Sequence, residues 1–347
     1  MMHLVITGDS QGLVPIVLGP NTPAERPYRG GRGIAELRGV ELPDDRRPED
    51  FVASTTEVAG GHGVGLTVLP DGRLLRDAVE ADPVGWLGPD HVARFGADTG
   101  LLVKLLDTAE RLFVHVHPDD EFAAARLGAR SGKTEAWIIT AVDGEGAIWL
   151  GFERPVDPDE VERWYDDQDV DAMLRAMRRF TVAPGDTVLV PAGLPHAIGA
   201  GITLVELQQP VDLSILIERR GLDERTALLG LPKRTALAAL RTAALADEEL
   251  VDLRSRRAAE GATVPFPPAA DRFFRAEVVD VRGDRMLDAG FAVLVVLEGD
   301  GRLVTGGAAV PVRRGTTVVV PHGAGAVRVE GDLRLVRARP PVAEAAR

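Results

Sequence analysis

The chain has 347 residues, a formal net charge of −13 and no cysteine. Without cysteine it can contain no disulfide, thiolate metal site or cysteine nucleophile, and its acidity argues against a nucleic-acid partner. The length is too great for one small core and predicts either two domains or one large β domain with insertions.

The composition indicates a turn-rich β protein. Aromatic residues make up only 5% of the chain, whereas it has 38 glycines and 24 prolines, the residues that favour turns. The longest apolar runs, such as "FAVLVVLEG" (291–299), have the length of strands and are too short to span a bilayer. The N-terminal "MMHLVITGDSQG" lacks the basic flank and apolar core of a secretion signal. The sequence therefore predicts a soluble, cytoplasmic protein.

Strands and one helix are predicted in the first part of the chain. Between residues 98 and 152 the apolar runs are short and closely spaced, which is typical of strands joined by tight turns. Residues 157–180 show helical spacing of apolar residues, with Asp157 as a candidate N-cap and Pro158 at the first helical position. Strands are predicted again over 180–209.

A second helical stretch, rich in alanine and leucine, is predicted over roughly 233–260. After Pro265 the pattern is β-like to the end, and it predicts a hairpin that turns at residues 299–301. The segments "APGDTVLVPAGLPHAIGAG" (183–201) and "RRGTTVVVPHGAGAVRVEG" (313–331) share a glycine, a short apolar strand, a proline and a small-residue turn. This similarity indicates an internal repeat of two related β units.

Two histidines in "FVHVHPDDE" (113–121) are candidate metal ligands. Residues i and i+2 of a strand point to the same face, so His115 and His117 would aim both imidazoles at one point. Taken alone this pattern is weak, because two unrelated histidines on a polar face explain it equally well. Glu135, at the start of the next apolar strand, and His196, in a rigid Pro/Gly turn, add a carboxylate and a third imidazole.

Together these motifs resemble a known family. H-x-H, then Glu, then P-x-G-x-x-H is the two-part signature of cupins, a jelly-roll family. In their order and spacing, "HVHPDDEFA", "GKTEAW", "PAGLPHAIGAGI" and "ELQQPVD" are similar to type I mannose-6-phosphate isomerases. The similarity extends from about residue 10 to residue 225 and continues more weakly in the C-terminal β region.

The resemblance implies a mainly β fold with two cupin-type jelly-roll units and helical insertions. The expected catalytic region spans residues 1–225 and includes the helical insertion at 157–180. A helical segment is expected at 226–264, and a degenerate cupin-like β unit at 265–347.

The resemblance also implies a zinc ion held by His115, His117, Glu135 and His196. The first position departs from the family, which has Gln there, but an imidazole is at least as good a ligand. Three imidazoles and one carboxylate would suit Fe, Mn or Ni as well. The remaining histidines, among them His322 of the C-terminal repeat, have no such partners, so we expect the second unit to bind no metal. No dinucleotide-binding motif is found.

The activity that the resemblance implies is aldose–ketose isomerisation of mannose 6-phosphate to fructose 6-phosphate. Lys133 and Asp212 match residues of the family and are the candidates for acid/base catalysis, although a surface lysine in a turn is the alternative for Lys133. Gln208 and Gln209 could bind sugar hydroxyls or face outward from a strand. Lys104 either approaches the pocket or extends its ammonium group to solvent.

Two positions depart from the family where a substrate phosphate should lie. Phe113 stands where the family has Ser, and Leu216 where it has Arg, which removes one donor and one charge. Either Arg219 or Arg220 supplies the charge, or the substrate is an unphosphorylated or differently substituted sugar. The competing functions at the same ligands are a cupin oxygenase using Fe or Mn and a sugar-binding protein without turnover.

Overall fold

The computed structural model describes residues 12–256, 261 and 263–342. Antiparallel strands grouped into three sheets dominate its regular structure, and the helices between them are short. The predicted mainly β fold is therefore confirmed. Over the described ranges, no helix has both the length and the apolar composition that crossing a membrane requires.

The part of the chain before position 100 supplies strands to two different sheets. These strands are β1 (Ile16–Leu18) and β2 (Glu49–Val52). Its helices are α1 (Gly33–Arg38), α2 (Leu75–Ala81), α3 (Pro83–Leu87) and α4 (Pro89–Phe95). α3 and α4 are separate because Gly88 adopts a φ of 88° and Pro89 lacks the N–H that would continue the first helix.

Two sheets that pack face to face form what we call the first β unit. Its further strands are β3 (Leu102–Asp107), β4 (His115–Val116), β5 (Glu135–Val142), β6 (Ala147–Phe152), β7 (Met177–Thr181), β8 (Thr187–Val190), β9 (His196–Ile198), β10 (Ile202–Gln208), β11 (Ile215–Leu216) and β12 (Arg254–Ser255). One sheet has the order β12–β8–β5–β10–β3–β2, and the other β11–β4–β9–β6–β7. Ile138 of β5 and Ile198 of β9 belong to one buried cluster, which joins the sheets.

The helical insertion of the first β unit consists of two helices rather than one. They are α6 (Pro158–Asp167) and α7 (Val170–Ala176). They follow α5 (Asp120–Phe122), a single turn between β4 and β5 that continues as a π-helical turn. α6 begins as predicted, because the Asp157 carboxylate caps its first turn. The prediction of a single helix over 157–180 is wrong. The first helix ends at Gln168, which has a φ of 51°, and Asp169 then caps a new helix. The prediction is wrong again at its end, where β7 pairs with β6.

The helical stretch predicted over 233–260 is also interrupted. The helices here are α8 (Glu224–Ala227), α9 (Lys233–Leu237) and α10 (Asp247–Leu253). Between the last two the chain turns around Arg241, whose guanidinium binds a nearby backbone carbonyl and the Glu249 carboxylate. An alanine- and leucine-rich composition does not encode this tertiary contact. Residues 257–260 of the predicted helix lie outside the described part of the chain.

The C-terminal region forms a six-stranded antiparallel sheet with β1, which we call the second β unit. Its strands are β13 (Arg275–Leu287), β14 (Ala292–Val304), β15 (Ala309–Arg313), β16 (Thr317–Val320) and β17 (Val327–Arg339). They have the order β1–β16–β14–β17–β13, and β15 pairs with β14. Side chains along these strands alternate between a cluster shared with the rest of the protein and a separate apolar cluster. The sheet is therefore buried on both faces along residues 292–296 of β14 and residues 317–320 of β16.

The hairpin predicted at residues 299–301 is wrong, because β14 continues through them. Gly301 of β14 pairs with Gly331 of β17, which in turn pairs with Gly283 of β13. A Cβ on Gly301 would lie 2.1 Å from a carbonyl oxygen of β17, so no side chain fits there. Glycines aligned across three strands, together with a register shift in β14, allow the sheet to bend at this point instead of reversing.

The division into residues 1–225, 226–264 and 265–347, and the two jelly-roll units themselves, stay predictions. β1 belongs by position to the first of these regions, yet it pairs with β16 of the second β unit. An early segment of the chain is therefore part of the C-terminal sheet.

Candidate metal centre

Three histidines and one glutamate converge inside the first β unit. β4 begins with His115 and is followed directly by His117, β9 begins with His196, and β5 begins with Glu135. His115 and His196 are cross-strand neighbours. One ring nitrogen of each histidine lies within 4.8 Å of the others, and all three rings are buried. The structure thus brings together the residues that the sequence indicates as ligands.

The Glu135 carboxylate faces two of the imidazoles. Its Oε2 lies 3.0 Å from Nε2 of His117, and its Oε1 lies 3.3 Å from Nε2 of His196. Trp137 donates its indole N–H to Oε1 over 3.0 Å. This hydrogen bond fixes the orientation of the carboxylate beside the ring nitrogens.

The tautomer of each histidine is set by a backbone carbonyl next to its Nδ1. The Nδ1–oxygen distances are 2.8 Å from His115 to Phe113, 2.8 Å from His117 to Leu213 and 2.9 Å from His196 to Leu194. A carbonyl only accepts, so Nδ1–H is the donor, and a neutral ring then carries its lone pair on Nε2. Hydrogen bonds of this kind orient imidazoles as metal ligands.

The buried atoms at this centre fit a metal ion. Nε2 of His117 and Nε2 of His196 have no hydrogen-bond partner within the described residues. Burial lowers the pKa of His115 well below its ordinary value, and burial with the charge of Lys133 lowers the pKa of His117 to about 3. These rings are therefore neutral, as ligands must be. Three nitrogens and one carboxylate suit zinc as well as several other divalent metals.

Lys133 lies beside the cluster and is buried, which excludes the alternative of a surface lysine. Its ammonium nitrogen lies 3.0 Å from Glu135 Oε2. Burial alone would raise the pKa of Glu135, but Lys133 and His117 outweigh it and hold that pKa well below its ordinary value. Lys133, His115, Glu135 and Asp212 all line a cavity of about 330 Å³. This size is typical of a site for a small molecule.

A network of buried charges forms another part of the cavity lining. Lys104 does not reach solvent, because it is buried and its ammonium lies 3.1 Å from both Glu49 Oε1 and Asp212 Oδ1. Arg26 pairs with Glu49 and lies 3.5 Å from Asp212 Oδ2. Burial would raise the pKa of Asp212, but the charges of Lys104 and Arg26 hold it well below its ordinary value. Asp212 is thus an ionised carboxylate fixed between cations.

Sequence reasoning missed four charged residues of this lining: Glu25, Arg26, Glu49 and Glu206. Burial and the charge of Glu135 raise the pKa of Glu206 to about 8. Glu206 and Lys104 are cross-strand neighbours in β10 and β3, and these opposite charges inside two apolar runs were a usable signal. Arg26 and Glu49 come from the segment before position 50, where no motif points to the cavity.

Gln208 and Gln209 are buried, and neither lines the cavity. Gln208 donates its amide to the Val211 carbonyl. Gln209 accepts the Thr134 N–H over 2.8 Å and donates to Asp120 Oδ1 over 2.8 Å. Both glutamines therefore hold the loop after β10 rather than face outward.

The other histidines lie apart from the cluster. His62 is exposed in a turn, and His322 begins a short 3₁₀ turn after β16. Nε2 of His91 lies 2.6 Å from the Asp98 carbonyl oxygen. His3 lies outside the described residues.

The positions that depart from the expected phosphate site lie beside the cavity. Phe113 and Leu216 both line it and present hydrocarbon to it. The two nearby arginines differ in placement, because Arg219 lies 4.8 Å over the Tyr165 ring, whereas Arg220 lies 4.8 Å over the Phe113 ring. Arg220, not Arg219, is therefore next to the cavity.

The chain is similar to known proteins along most of its length. A family profile described as "Mannose-6-phosphate isomerase, cupin domain" matches residues 266–340. Mannose-6-phosphate isomerase ManA of Bacillus subtilis is 27% identical over 315 residues, which cover 87% of this chain and 92% of that protein. Mannose-6-phosphate isomerase of Streptococcus mutans is 25% identical over 316 residues, covering 88% and 93%. The crystal structure of the Bacillus subtilis mannose 6-phosphate isomerase shares the fold, with a TM-score of 0.74 at 22% identity over 94% of this chain and 100% of that one.

Proposed function

The chain is a member of the type I mannose-6-phosphate isomerase family, and we propose that it is a metal-dependent aldose–ketose isomerase interconverting mannose 6-phosphate and fructose 6-phosphate. The observation that supports this most directly is the buried centre of His115, His117, His196 and Glu135 beside Lys133. The centre opens onto a cavity large enough for a sugar, about 330 Å³ in volume.

The reaction moves a hydrogen between C2 and C1 of the open-chain sugar. When bound, the cation stabilises negative charge that develops on the sugar oxygens. Lys133 lies closest to the ligand carboxylate among the lysines of the cavity, and we assign it the transfer of a proton to or from the substrate.

Asp212 has a different role in this proposal. Its low pKa makes the carboxylate a weak base. It holds the Lys104 ammonium 3.1 Å away and thereby orients that cation at the cavity wall. We therefore propose Lys133 as the acid/base residue and Asp212 as a positioning residue, which refines the prediction that both act as catalysts.

We propose zinc as the native metal, because three imidazoles and a carboxylate are ordinary zinc ligands. Iron, manganese and nickel accept the same donors. Elemental analysis of the purified protein identifies the metal. Removal with a chelator and readdition of single metals then shows which one restores isomerisation of phosphorylated and free mannose, glucose and fructose.

The expected result is zinc in near-stoichiometric amount and interconversion of mannose 6-phosphate with fructose 6-phosphate. Bound iron, oxygen uptake and no isomerisation of any sugar would instead favour the oxygenase alternative. Tight sugar binding without interconversion would favour the sugar-binding alternative. A cytoplasmic location is part of the proposal, and imaging of a fluorescent fusion in cells tests it.

A further inference from the structure

A second cavity, of about 360 Å³, lies next to the cavity of the metal centre. Three arginines line it, Arg26, Arg46 and Arg220, and one carboxylate, Glu25. Phe113 and Arg26 line both cavities, so the two share a wall. We call the part lined by Phe113 and the three arginines the arginine recess.

The Arg220 guanidinium is held in a defined position at this recess. It lies over the Phe113 ring, 4.8 Å from the ring centroid. Its Nε donates to Glu218 Oε1 over 2.7 Å, and its Nη2 donates to the Arg111 carbonyl over 2.6 Å. Arg220 itself has a φ of 43°, which is uncommon outside glycine and is stabilised here by these contacts. Phe113 thus serves as a platform for a cation.

The carboxylates around the recess are Glu218 and Glu110 beside Arg220, and Glu25 in the lining itself. Glu218 is buried and shared, because it accepts hydrogen bonds from Arg111 at 2.7 and 2.8 Å as well as from Arg220. One carboxylate therefore balances two guanidinium groups. Glu110 is partly exposed, and its Oε2 lies 3.8 Å from Nη1 of Arg220.

Arg46 adds a further charge to the recess. It is exposed, and its side chain has no ion pair or hydrogen bond to any other described residue. Arg26 is already paired with Glu49 and Asp212, so it connects the recess to the charge network of the metal cavity. The donors available to an incoming anion are thus mainly those of Arg46 and Arg220.

We infer that the arginine recess binds the phosphate of a sugar phosphate whose C1 and C2 lie at the metal centre. This rests on the proposed isomerase function and assigns the residues that hold the phosphate of its substrate, Arg46 and Arg220. A guanidinium group can donate two parallel hydrogen bonds to the oxygens of one phosphate. Phe113 and Leu216 therefore mark a relocated phosphate site rather than a missing one.

The test compares Arg220→Ala and Arg46→Ala with Arg219→Ala as a matched control, since the Arg219 guanidinium lies over Tyr165 instead. We expect each of the first two changes to lower kcat/KM for mannose 6-phosphate by about 10- to 100-fold, mainly through KM, because a charge-assisted hydrogen bond is lost. Turnover of free mannose, and the control variant with either sugar, should change less than about twofold. Calorimetry should show weaker binding of mannose 6-phosphate and of inorganic phosphate.

The possible outcomes separate this inference from the function on which it rests. If the unaltered protein isomerises mannose 6-phosphate and neither Arg220→Ala nor Arg46→Ala changes its KM, the relocated site is wrong and the isomerase stands. If Arg220→Ala and Arg220→Lys impair both sugars equally and lower the melting temperature, Arg220 is only structural, and Arg46→Ala alone decides. If no sugar is isomerised, but phosphate binding still depends on Arg46 and Arg220, the isomerase fails and the anion site stands.

Discussion

The two β units share a backbone pattern but have interiors of different chemistry. In both, a short buried strand, β8 or β16, ends at a proline that is followed by a turn of small residues. The first unit places three imidazoles and a carboxylate among its strands. The second places apolar side chains such as Val318, Val320 and Leu335 in its separate cluster.

This difference shows that a histidine after the repeated strand does not by itself make a metal centre. His196 is a candidate metal ligand because β4 and β5 bring two more imidazoles and a carboxylate close to its ring. His322 follows β16, but its ring packs beside Gly88 at the start of α4. At this position the second unit therefore has apolar packing, whereas the first gathers the candidate metal ligands.

The strongest test of this contrast exchanges the corresponding histidines for alanine. His196→Ala should remove most of the bound metal and lower kcat/KM more than about 100-fold. The reason is that losing a direct ligand reduces metal affinity and activity more than losing a residue that only hydrogen-bonds to a ligand. His322→Ala should keep both metal content and activity. Elemental analysis and an isomerisation assay measure the metal content and kcat/KM of both variants. Loss of metal from the His322 variant would contradict the proposed difference between the two units.

A second test separates metal binding from proton transfer within the first unit. Lys133→Ala should lower kcat by about 100- to 10,000-fold, the usual contribution of acid/base catalysis, while the metal content stays near that of the unaltered protein. Lys233→Ala is the control, because Lys233 is paired with Asp166 at the surface. A decrease of less than about threefold for Lys133→Ala would refute its assignment.

The third test concerns stability. Lys104→Met leaves two buried carboxylates, Glu49 and Asp212, with Arg26 as the one remaining cation that they share, so the free energy of unfolding should fall by about 3 to 5 kcal/mol. Arg302→Met in the second unit breaks an exposed pair with Glu330 and should change it by at most about 1 kcal/mol. Urea titrations of both variants give the comparison, and equal effects would contradict it.

The smallest expected effect is confined to the second unit. Val318→Ala removes fully buried hydrocarbon from its apolar cluster and should lower the free energy of unfolding by about 2 kcal/mol. In the folded fraction, kcat/KM and metal content should remain unchanged. A clear decrease in kcat/KM at a temperature well below unfolding would show that this unit shapes the active site after all.

The candidate metal centre was accessible from sequence because its signals are local. The spacing of His115 and His117 requires only a strand, and the family motifs added Glu135 and His196. The rest of the cavity was not accessible in this way. Arg26 reaches it from a loop, so only the complete fold brings this residue to the metal centre.

The errors in the secondary structure have a common physical origin. A helical apolar pattern does not reveal that Gln168 adopts a left-handed conformation before a new cap. Likewise, a glycine pair such as Gly299 and Gly301 serves a turn and a bent strand equally well. The bend is decided by Gly331 on the neighbouring strand, a partner that the local pattern does not contain.

The pairing of β1 with β16 bears on the order in which the protein folds during synthesis. Every strand of the first β unit lies between residues 49 and 255, whereas Ile16 pairs with Val319, about 300 residues later. Domains generally fold as they leave the ribosome, N-terminal parts first. The strands that position the four candidate ligands can therefore assemble on the nascent chain before β16, the partner of β1, has been synthesised. Closure of β1 onto β16 is then a late, long-range step of the kind that slows folding.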